Sequence, residues 1–197
     1  MNTLEAVHGK ESSFGTMMGT RGSSEAVGHF HLKPDAATRY GLSVSKNNDQ
    51  RFDIHYASSA AARYLKDLDT MFGEKTRLKG IETIPVRSVL ERKKFSLAAY
   101  NAGEGRIATA QHLAEQAGND PELWGDVERF LEAAHATPDK AEEIRRYLEM
   151  VPAYEAEFAE KSLANKALKQ KKVSNRKGRC SDGHWRTIDG KPVFICD

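Results

Sequence analysis

Ala98-Ala99-Tyr100-Asn101-Ala102-Gly103-Glu104-Gly105-Arg106 is the stretch on which the reading of this chain turns. Phe95 to Ala102 is rich in alanine, which favours a compact helix whose small side chains let neighbouring helices come close. Gly103 suits its C-terminal cap, and a further helix follows over about 105–117. Tyr100 and Asn101 stand at the end of this apolar helix, polar groups delivered by a rigid element. Upstream, two short blocks carry similar signals: Glu11-Ser12-Ser13-Phe14 and Val27-Gly28-His29-Phe30-His31. Leu4 and Val7 share one face of a first helix that ends near Glu11–Phe14. Residues 15–28, with four glycines, read as a loop.

Working further outward, Pro34 opens a short helix through Tyr40, with Gly41 as its stop. A long helix follows from about Phe52 to Phe72, with Ile54, Ala57, Ala61, Tyr64, Leu65 and Leu68 at helical spacing. Residues 74–94 are basic, broken by Gly80 and Pro85, and read as an insertion. Pro121 opens a helix striped by Leu123, Trp124, Val127, Phe130 and Leu131. Pro138-Asp139 starts another through Met150, where Pro152 interrupts before a polar helix. His184–Ile188 and Lys191–Ile195 flank Asp189-Gly190, a two-residue hairpin signal that sets Trp185 opposite Phe194 and Gly183 opposite Cys196. The fold class is mainly α with a small C-terminal β-hairpin. The expected organisation is a body over 1–160, a basic linker over 161–180 and a hairpin appendage over 181–197.

A length of 197 residues allows one full core and a small appendage. With 39% hydrophobic and 29% charged residues the composition is that of a soluble globular protein. It has no apolar run of about 18 residues, so a membrane span is not expected. The N-terminus lacks a basic segment followed by an apolar one, so no secretory signal is expected either. Residues 161–197 carry ten Lys/Arg against three Asp/Glu, whereas 1–160 carry twenty against twenty-five. The stretch 161–179 therefore suits an anionic polymer or surface, or acts as a solvated linker. It lacks the interleaved aromatics of a single-strand nucleic-acid groove, so no specific nucleic acid is expected. Cys180 and Cys196 have no metal-ligand spacing; a disulfide and two free thiols both fit the sequence.

In order and spacing, the blocks at Glu11, Gly28–His31 and Ala98–Arg106 resemble the lytic transglycosylase domain that cleaves bacterial peptidoglycan. The resemblance covers roughly residues 1–158. It implies a lysozyme-like helical fold of the goose type, glycan strands of peptidoglycan as partner, and no cofactor. It also implies a mechanism that uses one carboxylic acid where most glycosidases use two. Glu11 would protonate the bond after N-acetylmuramic acid, then remove the proton of that sugar's six-hydroxyl as it closes a 1,6-anhydro ring. Such an acid needs its pKa raised by desolvation, and the C-terminal end of a helix adds to the rise. Phe14, Phe30 and Tyr100 are candidate walls.

The family's second block is usually Gly-Leu-Met-Gln. Here Gly28 suits a close backbone approach to substrate or to the catalytic carboxylate. Phe30 serves as an apolar wall, and His31 takes the place of the glutamine as a glycan contact. Ser12, Tyr100 and Asn101 complete the expected substrate contacts. Tyr147 resembles the tyrosine of a late Glu-Thr-x-x-Tyr-Val block, with a core role as the alternative. A metal held by His8, Glu11, His29 and His31 has acceptable ligand types but lacks the His-Glu-x-x-His spacing, and the transglycosylase pattern accounts for these residues without it. His8 then reads as a helix-surface residue.

The lack of a secretory signal and a loose likeness of the hairpin to short terminal segments of phage proteins point to a phage-encoded enzyme, delivered in the virion or as a lysis protein. Two other functions stay open. One is a wall-binding or virion structural module with weak catalysis. The other is a hydrolytic muramidase, with Asp35, Asp49 or Asp53 activating water.

Overall fold

A computed structural model describes residues 3–22, 25–177 and 183–196. They form helices α1 (Thr3–Ser12), α2 (Pro34–Arg39), α3 (Ile54–Gly73), α4 (Val89–Ala102), α5 (Glu104–Gln116), α6 (Trp124–Val127) and α7 (Pro138–Lys177), followed by strands β1 (Gly183–Ile188) and β2 (Lys191–Cys196). The chain divides into two compact units, one of Asn2–Glu155 and one that takes in Ala156–Asp197.

In the first unit α4 is the central element, packing against α3, α5 and α6. Its Phe95, Leu97, Ala98 and Ala99 are buried. The alanines leave room for α3, whose facing side offers Ala57, Ala60, Ala61, Tyr64 and Leu68. Asp53 caps α3 by accepting from the His55 and Tyr56 amides, which places the helix start at Ile54, two residues after the expected one. Gly103, at φ +91°, ends α4 and begins α5 in a single residue. That conformation favours glycine, and it brings the end of one helix and the start of the next to one rim.

Three elements differ from expectation. First, α4 starts at Val89 rather than Phe95. Ser88 caps it by accepting from the Glu91 amide at 3.4 Å, and Glu91 stands where a capping box needs its acid. Exposed Val89 and Leu90 gave this turn no apolar period to read. Second, α7 runs unbroken through Pro152. Ile144, Tyr147 and Val151 are fully buried just before the proline, and this anchorage offsets the loss of one backbone bond. Third, only Trp124–Val127 and a 3₁₀ turn at Glu128–Phe130 form where one longer helix was expected. The linker over residues 74–87 is ordered by buried polar groups. Thr83 donates to the Met71 carbonyl at 2.7 Å, and Gln111 grips both the Ile84 amide and its carbonyl.

The second unit contains an antiparallel hairpin with Trp185 opposite Phe194 and Gly183 opposite Cys196, the register read from Asp189-Gly190. Trp185 is exposed. The pairing of Cys180 lies outside the described residues, as does the junction at 178–182.

Candidate active site

The end of α1, the turn at 26–33, the α4–α5 corner and the first turns of α7 surround a cleft of about 320 Å³. Glu11, His31, Tyr100 and Asn101 all line it, so four of the expected site residues converge. The Glu11 side chain is 12% exposed. Burial pushes its carboxyl up to about 7, and the Glu143 charge adds to the rise. The Tyr147 hydroxyl, Lys10 and Lys140 pull it partway back. The Tyr147 hydroxyl is buried without a partner at hydrogen-bond length, so it acts on Glu11 from beyond a formed bond. Near neutral pH an appreciable share of Glu11 is therefore protonated, which suits a general acid.

The other expected contacts lie behind the cleft wall, where they build it. Ser12 is fully buried; its hydroxyl donates to the His29 carbonyl at 2.8 Å and accepts from the Gly15 amide at 2.9 Å. It ties the α1 end to the 28–31 turn and is absent from the cleft lining. Gly28 makes its close approach to Arg51, because a Cβ there would lie 2.1 Å from the Arg51 carbonyl oxygen. Its φ of +86° adds a second reason for glycine. Phe30 is a core residue, 2% exposed, stacked on His8 at 4.9 Å. His8 is correspondingly half-buried, and its Nε2 also meets His29 Nδ1 at 3.0 Å. Burial lowers the pKa of both rings, with the neighbouring His29 adding to the effect on His8. Phe14, about half exposed, packs edge-on to His8 and Tyr154 and is absent from the cleft lining.

Tyr147 is fully buried beneath Lys10, whose ammonium lies 5.6 Å from its ring centroid. The Tyr100 ring lines the cleft while its hydroxyl donates to the Phe30 carbonyl at 3.0 Å, fixing the turn that presents His31. Burial raises both phenols well above their ordinary range, with the Glu11 charge adding to it, so each stays a neutral donor. Tyr100→Phe leaves that carbonyl without its donor. The expected outcome is a loss of about 1–2 kcal/mol of stability in urea unfolding.

Arg51 holds this turn from below. It is fully buried against Asp49, Nη2 to Oδ2 at 2.7 Å and Nε to Oδ1 at 2.9 Å. Its Nη1 also donates to the Glu25 and Leu32 carbonyls at 2.9 and 3.1 Å. Burial alone would raise the Asp49 pKa, but bonds from Arg51 and the Gly22 amide outweigh it and hold the carboxyl below its usual range. Among the described residues no group of three or more His, Cys, Asp or Glu is disposed to hold a metal.

Residues 1–123 match the family model described as the Transglycosylase SLT domain. The chain belongs to this family. Similar relatives include membrane-bound lytic murein transglycosylase F of Aliivibrio fischeri, 36% identical over 92 residues, 38% of this chain and 19% of the relative. The transglycosylase F of Alteromonas mediterranea is 31% identical over 112 residues, 51% of this chain and 22% of the relative. Membrane-bound lytic murein transglycosylase D of Escherichia coli K12 is 24% identical over 129 residues, 63% and 25%. The chain thus spans no more than about a quarter of the length of these curated relatives. Its helical body is a lysozyme-like SLT domain.

The SLT cleft also holds groups that the sequence reading passed over. Glu143 lines it, accepting from Asn101 Nδ2 and Lys140 Nζ, each at 2.9 Å. Burial opposes its ionisation, but these hydrogen bonds prevail and keep its pKa below the usual carboxylate range. Glu143 stands four residues before Tyr147, where the late Glu-Thr-x-x-Tyr-Val block has its glutamate. Ile144 in the threonine position obscured that signal. Asn101 Oδ1 is buried with no hydrogen-bond partner. Lys33 and Arg106 complete the polar rim.

Proposed function

We propose that this SLT domain is a peptidoglycan lytic transglycosylase that cleaves the β-1,4 bond between N-acetylmuramic acid and N-acetylglucosamine. The observation that carries the reading is Glu11, a carboxylic acid raised to about 7 on the floor of the cleft. In the proposed sequence Glu11 gives its proton to the departing glycosidic oxygen as the muramic C1–O bond breaks. The muramic six-hydroxyl then attacks C1, and its proton passes to the Glu11 carboxylate. Glu11 ends as it began, and the product is a 1,6-anhydro end with no water consumed. Asn101 and His31 serve as glycan contacts, with Tyr100 placing the turn that bears His31. Ser12, Gly28, Phe30 and Tyr147 act by shaping the cleft wall.

The hydrolytic alternative needs a carboxylate for water. Asp49 is committed to Arg51, Asp53 caps α3, and Asp35 is absent from the cleft lining. Glu143, the ionised second acid of the cleft, is the group on which that reading rests. Mass analysis of muropeptides released from purified sacculi separates the two. The transglycosylase yields ends one water lighter than those of a muramidase. Sacculus binding without any released sugar would instead mark a wall-binding module.

The wall-directed role extends to two finer proposals. The stretch 161–179 meets anionic envelope polymers through its charge, and a phage-encoded protein delivered in the virion or at lysis accounts for the appended hairpin.

A further inference from the structure

We propose that Lys33 and Arg106 form a carboxylate-reading subsite on the cleft rim, which takes the acidic groups carried on the 3-O-lactyl arm of the muramic sugar. The proposal rests on the transglycosylase reading, since peptidoglycan is the polymer that would bring such an arm to Glu11.

The charge balance of the cleft carries the inference. Its lining holds two carboxylates, Glu11 and Glu143, and three cations, Lys33, Arg106 and Lys140. Glu11, raised to about 7, is an acid before turnover. Glu143 is ionised and meets Lys140 at 2.9 Å, so those two charges cancel. The nearby Glu104 is taken by Arg39 at 3.2 Å. Among the described residues this leaves Lys33 and Arg106 on the lining without a counter-charge. The excess is local, because residues 1–160 carry twenty Lys/Arg against twenty-five Asp/Glu. A cationic rim on an acidic body suits an anionic ligand. The glycan backbone itself offers only hydroxyls, ring oxygens and acetamido groups. Its carboxylates hang from the muramic lactyl ether, as free lactate or as acids of an attached stem peptide.

The two cations are presented differently. Arg106 Nη1 donates to the Ala102 carbonyl at 3.3 Å, which fixes the guanidinium beside the Gly103 corner. Its Nε and Nη2 are left as the fork that meets a carboxylate side-on. Lys33 is exposed at the start of α2, just before Pro34, and offers a point charge on a flexible stem. The charges that act most on Glu11 are Lys10, Glu143 and Lys140. Lys33 and Arg106 are not among them, so they can hold a substituent without altering the acid.

The test uses Glu11→Gln, which cuts bound glycan too slowly to disturb a binding measurement. The probes are stem-bearing glycan strands with their amines acetylated, their carboxylates either left free or converted to amides. Calorimetry at low salt should show binding to the amidated strands weakened about fivefold, the scale of two exposed ion pairs. That preference should fade as salt is raised. Lys33→Gln or Arg106→Gln, each added to Glu11→Gln, should reduce it to about twofold. Lys33→Gln removes an exposed side chain that holds nothing in the fold, so a loss there is not a loss of folding. The same comparison on strands stripped of their stems by an amidase separates the two sources. A preference that survives marks the lactyl carboxylate, and one that vanishes marks the stem peptide. Equal affinity for free and amidated strands, or a preference that both substitutions leave intact, would overturn the subsite. If the preference appears while the native protein releases no anhydro ends, the subsite stands and the transglycosylase reading fails. Release of such ends without any preference keeps that reading and sinks the subsite.

Discussion

Glu11→Gln is expected to cut glycan release by about a hundredfold to ten-thousandfold, the range for loss of a positioned general acid. Gln has nearly the same shape and cannot give a proton, so the cleft survives and the chemistry does not. The same substitution should make the protein more stable at alkaline pH. Glu11 ionises near 4.5 when unfolded and at about 7 when folded. Between those values the folded state binds more protons, so stability is lost as pH rises through the folded pKa. The span corresponds to about 3 kcal/mol. In Glu11→Gln this loss is absent, so its melting temperature should exceed that of the native protein at pH 8 and match it more closely at pH 4. An inactive variant without this pH-dependent stabilisation would mean that Glu11 is not held in an apolar setting.

Arg51→Ala carries the largest expected cost in stability, about 3–5 kcal/mol, because it strands a buried carboxylate. Asp49 would keep its Gly22 contact and lose the guanidinium. The Glu25 and Leu32 carbonyls would lose their donor as well. Those carbonyls bracket the turn that carries His31, so cleft geometry should fail along with stability. The pH dependence has the opposite sign to that of Glu11. Asp49 has a lowered pKa in the folded state, so its contribution is present above its unfolded value and disappears as pH falls through the folded one. The gap between native protein and Arg51→Ala in urea unfolding should therefore be widest at neutral pH and narrow in acid. A gap independent of pH would show that the ion pair contributes packing alone.

The two variants mark what the amino-acid sequence reveals and what it conceals. α3 was legible because its apolar residues repeat at helical spacing, and the hairpin because Asp189-Gly190 dictates its register. The first turn of α4 was hidden by exposed Val89 and Leu90, and the unbroken α7 by Pro152, whose cost depends on how firmly the preceding turns are buried. Within the site, Glu11, His31, Tyr100 and Asn101 reach the cleft as their blocks suggested. Ser12, Gly28 and Phe30 belong to the same blocks for another reason: they satisfy or approach backbone within the wall. A motif records both kinds of constraint, and spacing alone does not separate them. The pairing of Arg51 with Asp49 gave no signal, because a charge pair two residues apart carries no sign of burial. Glu143 was lost among the mixed charges of a long helix.

In the proposed reaction one acid, Glu11, turns the sugar's own hydroxyl into the nucleophile. Digestion of sacculi in water enriched in heavy oxygen reads that step directly. The expected products are anhydro-ended muropeptides with no heavy oxygen at the muramic carbon, and none released by Glu11→Gln. Label at that carbon would show that water attacks there, and would contradict it.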